Sequence, residues 1–169
     1  MEAFRVERSG PLKGEVRVPG AKNSVLKLMA ASIMAEGLTT LTNVPEILDV
    51  EIMAELLRRL GCKVEHDLTT ATVTIDVPAK IGHKADYDLV RKMRASISVL
   101  GPLVARCGEA DIALPGGDAI GSRGLDFHIN GLTEMGAQVT SEHGFVIAKA
   151  SNGLIGAHIT LEFPSVGAT

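Results

Sequence analysis

The chain has 169 residues, 46% hydrophobic and 22% charged, which is enough apolar content to bury a core and too much for a disordered segment. A net charge of −3 with mixed signs excludes a broad cationic face for nucleic acid, and 3% aromatics without tryptophan exclude a stacking platform for single strands. No stretch approaches the roughly 20 apolar residues of a membrane span, and "EAFRVERSG" after Met1 has neither the basic nor the apolar region of a leader, so the expected location is cytoplasmic.

The elements then follow in chain order. "LKGEVRVPGAKNS" (Leu12 to Ser24) reads as a strand, the breaker Pro19-Gly20, and the mouth of a helix at Lys22 and Asn23. The helix itself, "SVLKLMAASIMA", is apolar nearly all round, with Lys27 as its one charge, so a buried helix is expected. After Gly37 come a short strand and a turn, then "VEIMAELLRRLG", whose charged face (Glu51, Glu55, Arg58, Arg59) marks an amphipathic helix ending at Gly61. "ATVTIDV" completes a β-hairpin.

The same series then recurs. "SISVLGPLVA" is a second apolar helix, expected to bend at Pro102, and "GPLVARCGEADIALPGG" parallels "ASIMAEGLTTLTNVP". "LTEMGAQVT" repeats "LRRLGCKVE", and "FVIAKA" repeats the closing β segment. A third copy opens with "LIGAHITLEFPSVGAT", which matches Leu12 to Ser24 and ends where its helix would start, so the chain is expected to be a fragment. Buried helices wrapped by short amphipathic strands predict an α/β fold with helices inside and sheets outside. Cys62 and Cys107 have no metal-ligand spacing and form no disulfide framework; both are read as buried thiols.

Candidate chemistry gathers at the helix entrances. A helix N-terminus presents free N–H groups and a partial positive charge, which suits an anion and disfavours a lysine. Lys22 at that place is either a solvated surface lysine or one arm of an anion site. Arg94 enters the second apolar helix where Lys22 enters the first, which favours convergence on one anionic pocket. "LPGGDAIGSRG" adds Asp118 and Arg123 on a glycine-rich loop long enough to serve as a binding loop or lid. Asp126 suits a helix cap or a hydroxyl acceptor equally, His128 and His143 read as structural or solvated, and no cluster of His, Asp or Glu argues for a metal.

"PGAKNSVLKLMAA", "NVPEILDVEIMAELLRRLG", "MRASISVLGPLVAR", "LPGGDAIGSR" and "SVGAT" together resemble the UDP-N-acetylglucosamine 1-carboxyvinyltransferase branch of the enolpyruvyl transferases. The resemblance runs along almost the whole chain. It implies an inside-out α/β barrel of the EPSP synthase kind, built from repeated units, with the third unit incomplete here. Residues 1–20 would be a strand segment joining a second barrel, and 21–169 the first barrel, truncated. The implied reaction moves enolpyruvyl from phosphoenolpyruvate to the sugar 3′-hydroxyl, releasing phosphate in peptidoglycan synthesis. Lys22, Asn23 and Arg123 would hold phosphoenolpyruvate, with Lys22 and Asp118 catalytic. Arg94, Arg123, Gly124, Leu125, Asp126, Phe127, Pro164, Ser165 and Val166 would contact the UDP-sugar. No cofactor or metal is implied, the expected partners are these small molecules, and neither nucleic acid nor membrane enters.

Asp118 stands where many such enzymes carry the cysteine that donates a proton and is alkylated by fosfomycin, so insensitivity to that epoxide is expected. Two further departures are Gly124, where a proline commonly follows the arginine, and Phe163-Pro164, which replaces a lysine-containing stretch. The competing readings are an EPSP synthase-type transferase and a non-catalytic nucleotide-binding module.

Overall fold

A computed structural model describes residues 3–85, 87–114 and 124–165. It contains two copies of one unit. In the first, helix α1 (Lys22–Ser32) leads to β1 (Gly37–Leu41), α2 (Leu48–Arg59) and the hairpin β2 (Lys63–Asp67) and β3 (Thr72–Val77). The second opens with β4 (Lys84–Ala85) and a short helix α3 (Tyr87–Val90). A 3₁₀ segment (Arg94–Val99) then runs into α4 (Leu100–Cys107), followed by β5 (Glu109–Ala113), α5 (Asp126–Glu134), β6 (Gln138–Glu142) and β7 (Phe145–Lys149).

The sheets carry the same symmetry. β1, β3 and β2 pair antiparallel in that order, and β5, β7 and β6 do likewise, with β4 added parallel to β5 at the edge. Each sheet buries one face. Val73, Ile75 and Val77 alternate inward from β3, and Val146 and Ala148 from β7, as period-two patterning requires. Against them pack Met29 and Ile33 of α1 and its C-terminal turn, Met53 and Leu57 of α2, and Leu100 and Leu103 of α4, all in one core.

The repeat extends to single hydrogen bonds. Gly61 and Gly136 follow α2 and α5 with φ of 105° and 92°, a region that favours glycine. The next amide reaches back in each case, Cys62 N–H to the Leu57 carbonyl (3.0 Å) and Ala137 N–H to the Leu132 carbonyl (2.9 Å). These bonds satisfy carbonyls that the helix end would otherwise leave open. α2 is further suited to its dipole, with Asp49 and Glu51 in the first turn and Arg58 and Arg59 in the last.

Four expectations change. α1 is only partly enclosed, for Leu28 remains 51% exposed and Ala31 is exposed too. α2, the 3₁₀ segment and the first sheet pack against it, yet this outer side stays open. The second apolar helix is not a single α-helix. Its winding changes from 3₁₀ to α at Leu100, and Pro102 sits in the first turn of α4, where proline is best tolerated.

The strands expected from Leu12 and from Leu154 are not formed. Residues 3–20 form neither helix nor strand and are largely exposed, with Val16 at 88%, because an isolated strand has no partner for its amides. Among the described residues the strands make two separate sheets and close no barrel.

Candidate functional site

The approach to α1 is set by Gly20. A methyl group there would overlap the carbonyl oxygen of Asn43, which itself takes a left-handed φ of 56°. The "PG" before Lys22 is therefore a packing requirement as well as a chain breaker. Gly20→Ala is expected to cost about 1–3 kcal/mol, the usual range for forcing extra volume into a packed place. Gly101→Ala, inside α4 with open space around it, is the control and should be neutral or mildly stabilising. Denaturant unfolding of the two variants checks this, and equal midpoints would remove the role given to Gly20.

Lys22 is the first residue of α1, and its ammonium lies 2.8 Å from the Asp49 carboxylate in the first turn of α2. Asn23 follows it and is exposed. The cap residue Ala21 offers no side-chain bond to the helix amides, so this N-terminus keeps its partial positive charge open to an anion.

Arg94 begins the 3₁₀ segment, and its guanidinium donates to the Gly124 carbonyl at 3.4 Å. That bond ties the second helix entrance to the start of α5. Leu125 precedes α5 and packs against the core, while Asp126 is the first helical residue. No side-chain cap bond forms at this end, so Asp126 is not the cap. Its charge still suits the helix N-terminus, and its carboxylate lies against Gly124. The rings of Phe127 and Phe163 meet edge to face at 4.7 Å between centroids, which lays residues 163–165 beside the start of α5. Pro164 is exposed there and Ser165 is half-buried.

His128 gains a clearer setting than the sequence offered. Burial holds its imidazole below the usual value, and the charges of Arg94 and Lys27 act in the same direction. It is therefore neutral near pH 7, able to donate from one nitrogen and accept at the other. Lys27, His128 and Arg94 are thus electrostatic neighbours drawn from α1, α5 and the 3₁₀ segment. The sequence signal for Lys27 was its place as the one charge in an apolar helix. His143, by contrast, is exposed in the β6–β7 turn with φ 50°.

Asp118, Arg123 and Val166 lie outside the described residues. Cys62 is buried, with its thiol pushed up to about 11 by that burial. Cys107 is only half-buried, which corrects its reading as a core thiol, and burial raises it too. Neither is poised as a nucleophile at neutral pH. Among the described residues no group of at least three His, Cys, Asp or Glu side chains is placed to hold a metal ion. Among them, too, no helix is long and apolar enough to cross a membrane.

This α/β arrangement is the fold of a solved enolpyruvyl transferase. The enolpyruvyl transferase NikO from Streptomyces tendae superposes with a TM-score of 0.72 at 25% identity, over 85% of this chain and 31% of that one. The chain belongs to the EPSP synthase (3-phosphoshikimate 1-carboxyvinyltransferase) family, whose model matches residues 6–169.

Among curated relatives, UDP-N-acetylglucosamine 1-carboxyvinyltransferase of Corynebacterium efficiens is 58% identical over 168 residues, 99% of this chain and 39% of its own length. UDP-N-acetylglucosamine 1-carboxyvinyltransferase 2 of Staphylococcus saprophyticus is 46% identical over 170 residues, all of this chain and 40% of its own. The chain thus spans about 40% of the length of the curated relatives it matches.

Proposed function

We propose that this chain is the N-terminal part of an enzyme that transfers the enolpyruvyl group of phosphoenolpyruvate to the 3′-hydroxyl of UDP-N-acetylglucosamine. The observation that carries the proposal is the 58% identity, along 99% of the chain, to relatives bearing that activity in their name. In the complete protein the two units join further repeats into an inside-out barrel, with the reaction in the cleft between it and a second one. The exposed side of α1 and the exposed residues 3–19 suit surfaces that such additional units would cover.

In this scheme Lys22 and Asn23 hold the phosphate and carboxylate of phosphoenolpyruvate at the α1 entrance, with Arg123. Arg94, Gly124, Leu125, Asp126 and Phe127, together with Pro164, Ser165 and Val166, hold the UDP-sugar. The sugar 3′-hydroxyl gives its proton to a base supplied by the rest of the protein, its oxygen bonds to C2 of phosphoenolpyruvate, and C3 gains a proton, giving a tetrahedral intermediate. Loss of the C3 proton and cleavage of the C2–O bond to phosphate then restore the double bond. Asp118 acts as the donor of the proton that C3 gains. Fixed cations at the phosphate supply the charge stabilisation, worth more in a closed site than in water.

The test is phosphate release from phosphoenolpyruvate by the full-length protein, with UDP-N-acetylglucosamine or shikimate 3-phosphate as acceptor. Release that depends on the nucleotide sugar is the expected result. Release that depends on shikimate 3-phosphate would replace this reading with the EPSP synthase one. Binding of the nucleotide sugar without any release would leave only a binding module.

A further inference from the structure

We infer that Asp49 is a positioning residue for Lys22, holding its ammonium at the α1 entrance in the place where the phosphoenolpyruvate anion is received; this rests on the enolpyruvyl transfer reading. The two side chains come from different helices that pack directly on one another. Asp49 Oδ2 and Lys22 Nζ are 2.8 Å apart, and the carboxylate is the more enclosed partner, 27% exposed against 53% for the lysine.

Each charge has a different fit to its own helix. Lys22 opposes the partial positive charge of the helix it begins, whereas Asp49 suits the first turn of α2. The pair is therefore asymmetric. The carboxylate is anchored by its helix, and the ammonium is drawn to it across the gap.

Stability alone is a poor reason for this arrangement, since an exposed ion pair contributes little. Positioning is a better one. A lysine side chain has a flexible four-carbon stem, and a fixed carboxylate narrows where its ammonium rests. The ammonium carries three N–H donors and needs only one for Asp49. The remaining donors are available to an arriving phosphate or carboxylate while the pair stays intact. Neighbouring acids are otherwise engaged: Glu51 pairs with His66, and Glu55 with Arg58 and Arg59. Asp49 is thus the α2 carboxylate turned to the α1 entrance.

The experiment uses the full-length protein with Asp49→Asn, Asp49→Glu, Lys22→Arg and the Asp49→Asn, Lys22→Arg double variant. Asp49→Asn is expected to lower kcat/KM for phosphoenolpyruvate about tenfold or more while changing KM for UDP-N-acetylglucosamine less than twofold, and Asp49→Glu to recover part of the loss. Affinity for phosphoenolpyruvate, measured by titration calorimetry, completes a double-mutant cycle that survives slow turnover. The double variant should bind no more weakly than Lys22→Arg.

Additive losses, an equal rise in both KM values, or tighter phosphoenolpyruvate binding by Asp49→Asn would each overturn the inference. The last outcome would mark Asp49 as a competitor of the substrate. A parent protein that releases no phosphate with UDP-N-acetylglucosamine would instead defeat the reading beneath it, so the two failures are separable.

Discussion

The full-length protein is expected to remain unmodified by fosfomycin under conditions in which its Asp118→Cys variant is fully alkylated. The reagent is an epoxide. Attack by a thiolate forms a C–S bond, breaks an epoxide C–O bond, and leaves an alkoxide that takes a proton. A carboxylate is a weak nucleophile for that step, although it serves well as a proton donor when protonated. A carboxyl group starts near pKa ~3.9 against ~8.5 for a thiol, so Asp118 must be raised by desolvation and by bound anionic substrates if it is to donate near pH 7. Mass spectrometry of the intact protein provides the readout. The adduct should map to position 118, because the Cys62 thiol is pushed up to about 11 by burial and Cys107 is raised in the same direction. An adduct on the parent formed as fast as on the variant would remove Asp118 from the place of the alkylated cysteine.

Lys22→Met is the second large effect. Loss of one preorganised charge from a site of developing phosphate charge typically costs 10²–10³-fold, and a loss of about that size in kcat/KM for phosphoenolpyruvate is expected. Methionine keeps much of the apolar length of lysine, and the helix entrance is exposed, so the fold should survive the change. Equilibrium unfolding checks that point independently of turnover. A Lys22→Met enzyme within fivefold of the parent would show that the α1 entrance does not receive the anion.

Much of the architecture was legible because it repeats. The pairs Gly61 and Gly136, and the apolar alternation of "ATVTIDV" and "FVIAKA", report local geometry that each unit must satisfy by itself. The entrance residues Lys22 and Arg94 were legible for the same reason, standing at matching places in the two copies. What escaped depends on contacts distant in sequence. Nothing local in "EILDVE" marks Asp49 as a partner of Lys22, because the pair exists only once α1 and α2 are packed. His128 reads as an ordinary helix residue until Arg94 and Lys27 are brought beside it.

The strands expected at Leu12 and Leu154 were misread for a related reason. Alternation shows that a segment could be a strand, but pairing requires an edge supplied from elsewhere. The expected burial of α1 failed likewise at Leu28, because an apolar pattern does not show what lies against it.

The glycine turns after α2 and α5 act as rulers. Each fixes how many residues separate the last helical carbonyl from the first strand amide, so every unit sets its own phase between helix and strand. A one-residue insertion or deletion at either junction would turn the following strand over and drive its apolar side chains outward. The tips of the β2–β3 and β6–β7 hairpins lie beyond the ruler, and an inserted peptide or label there would leave the phase between helix and strand untouched.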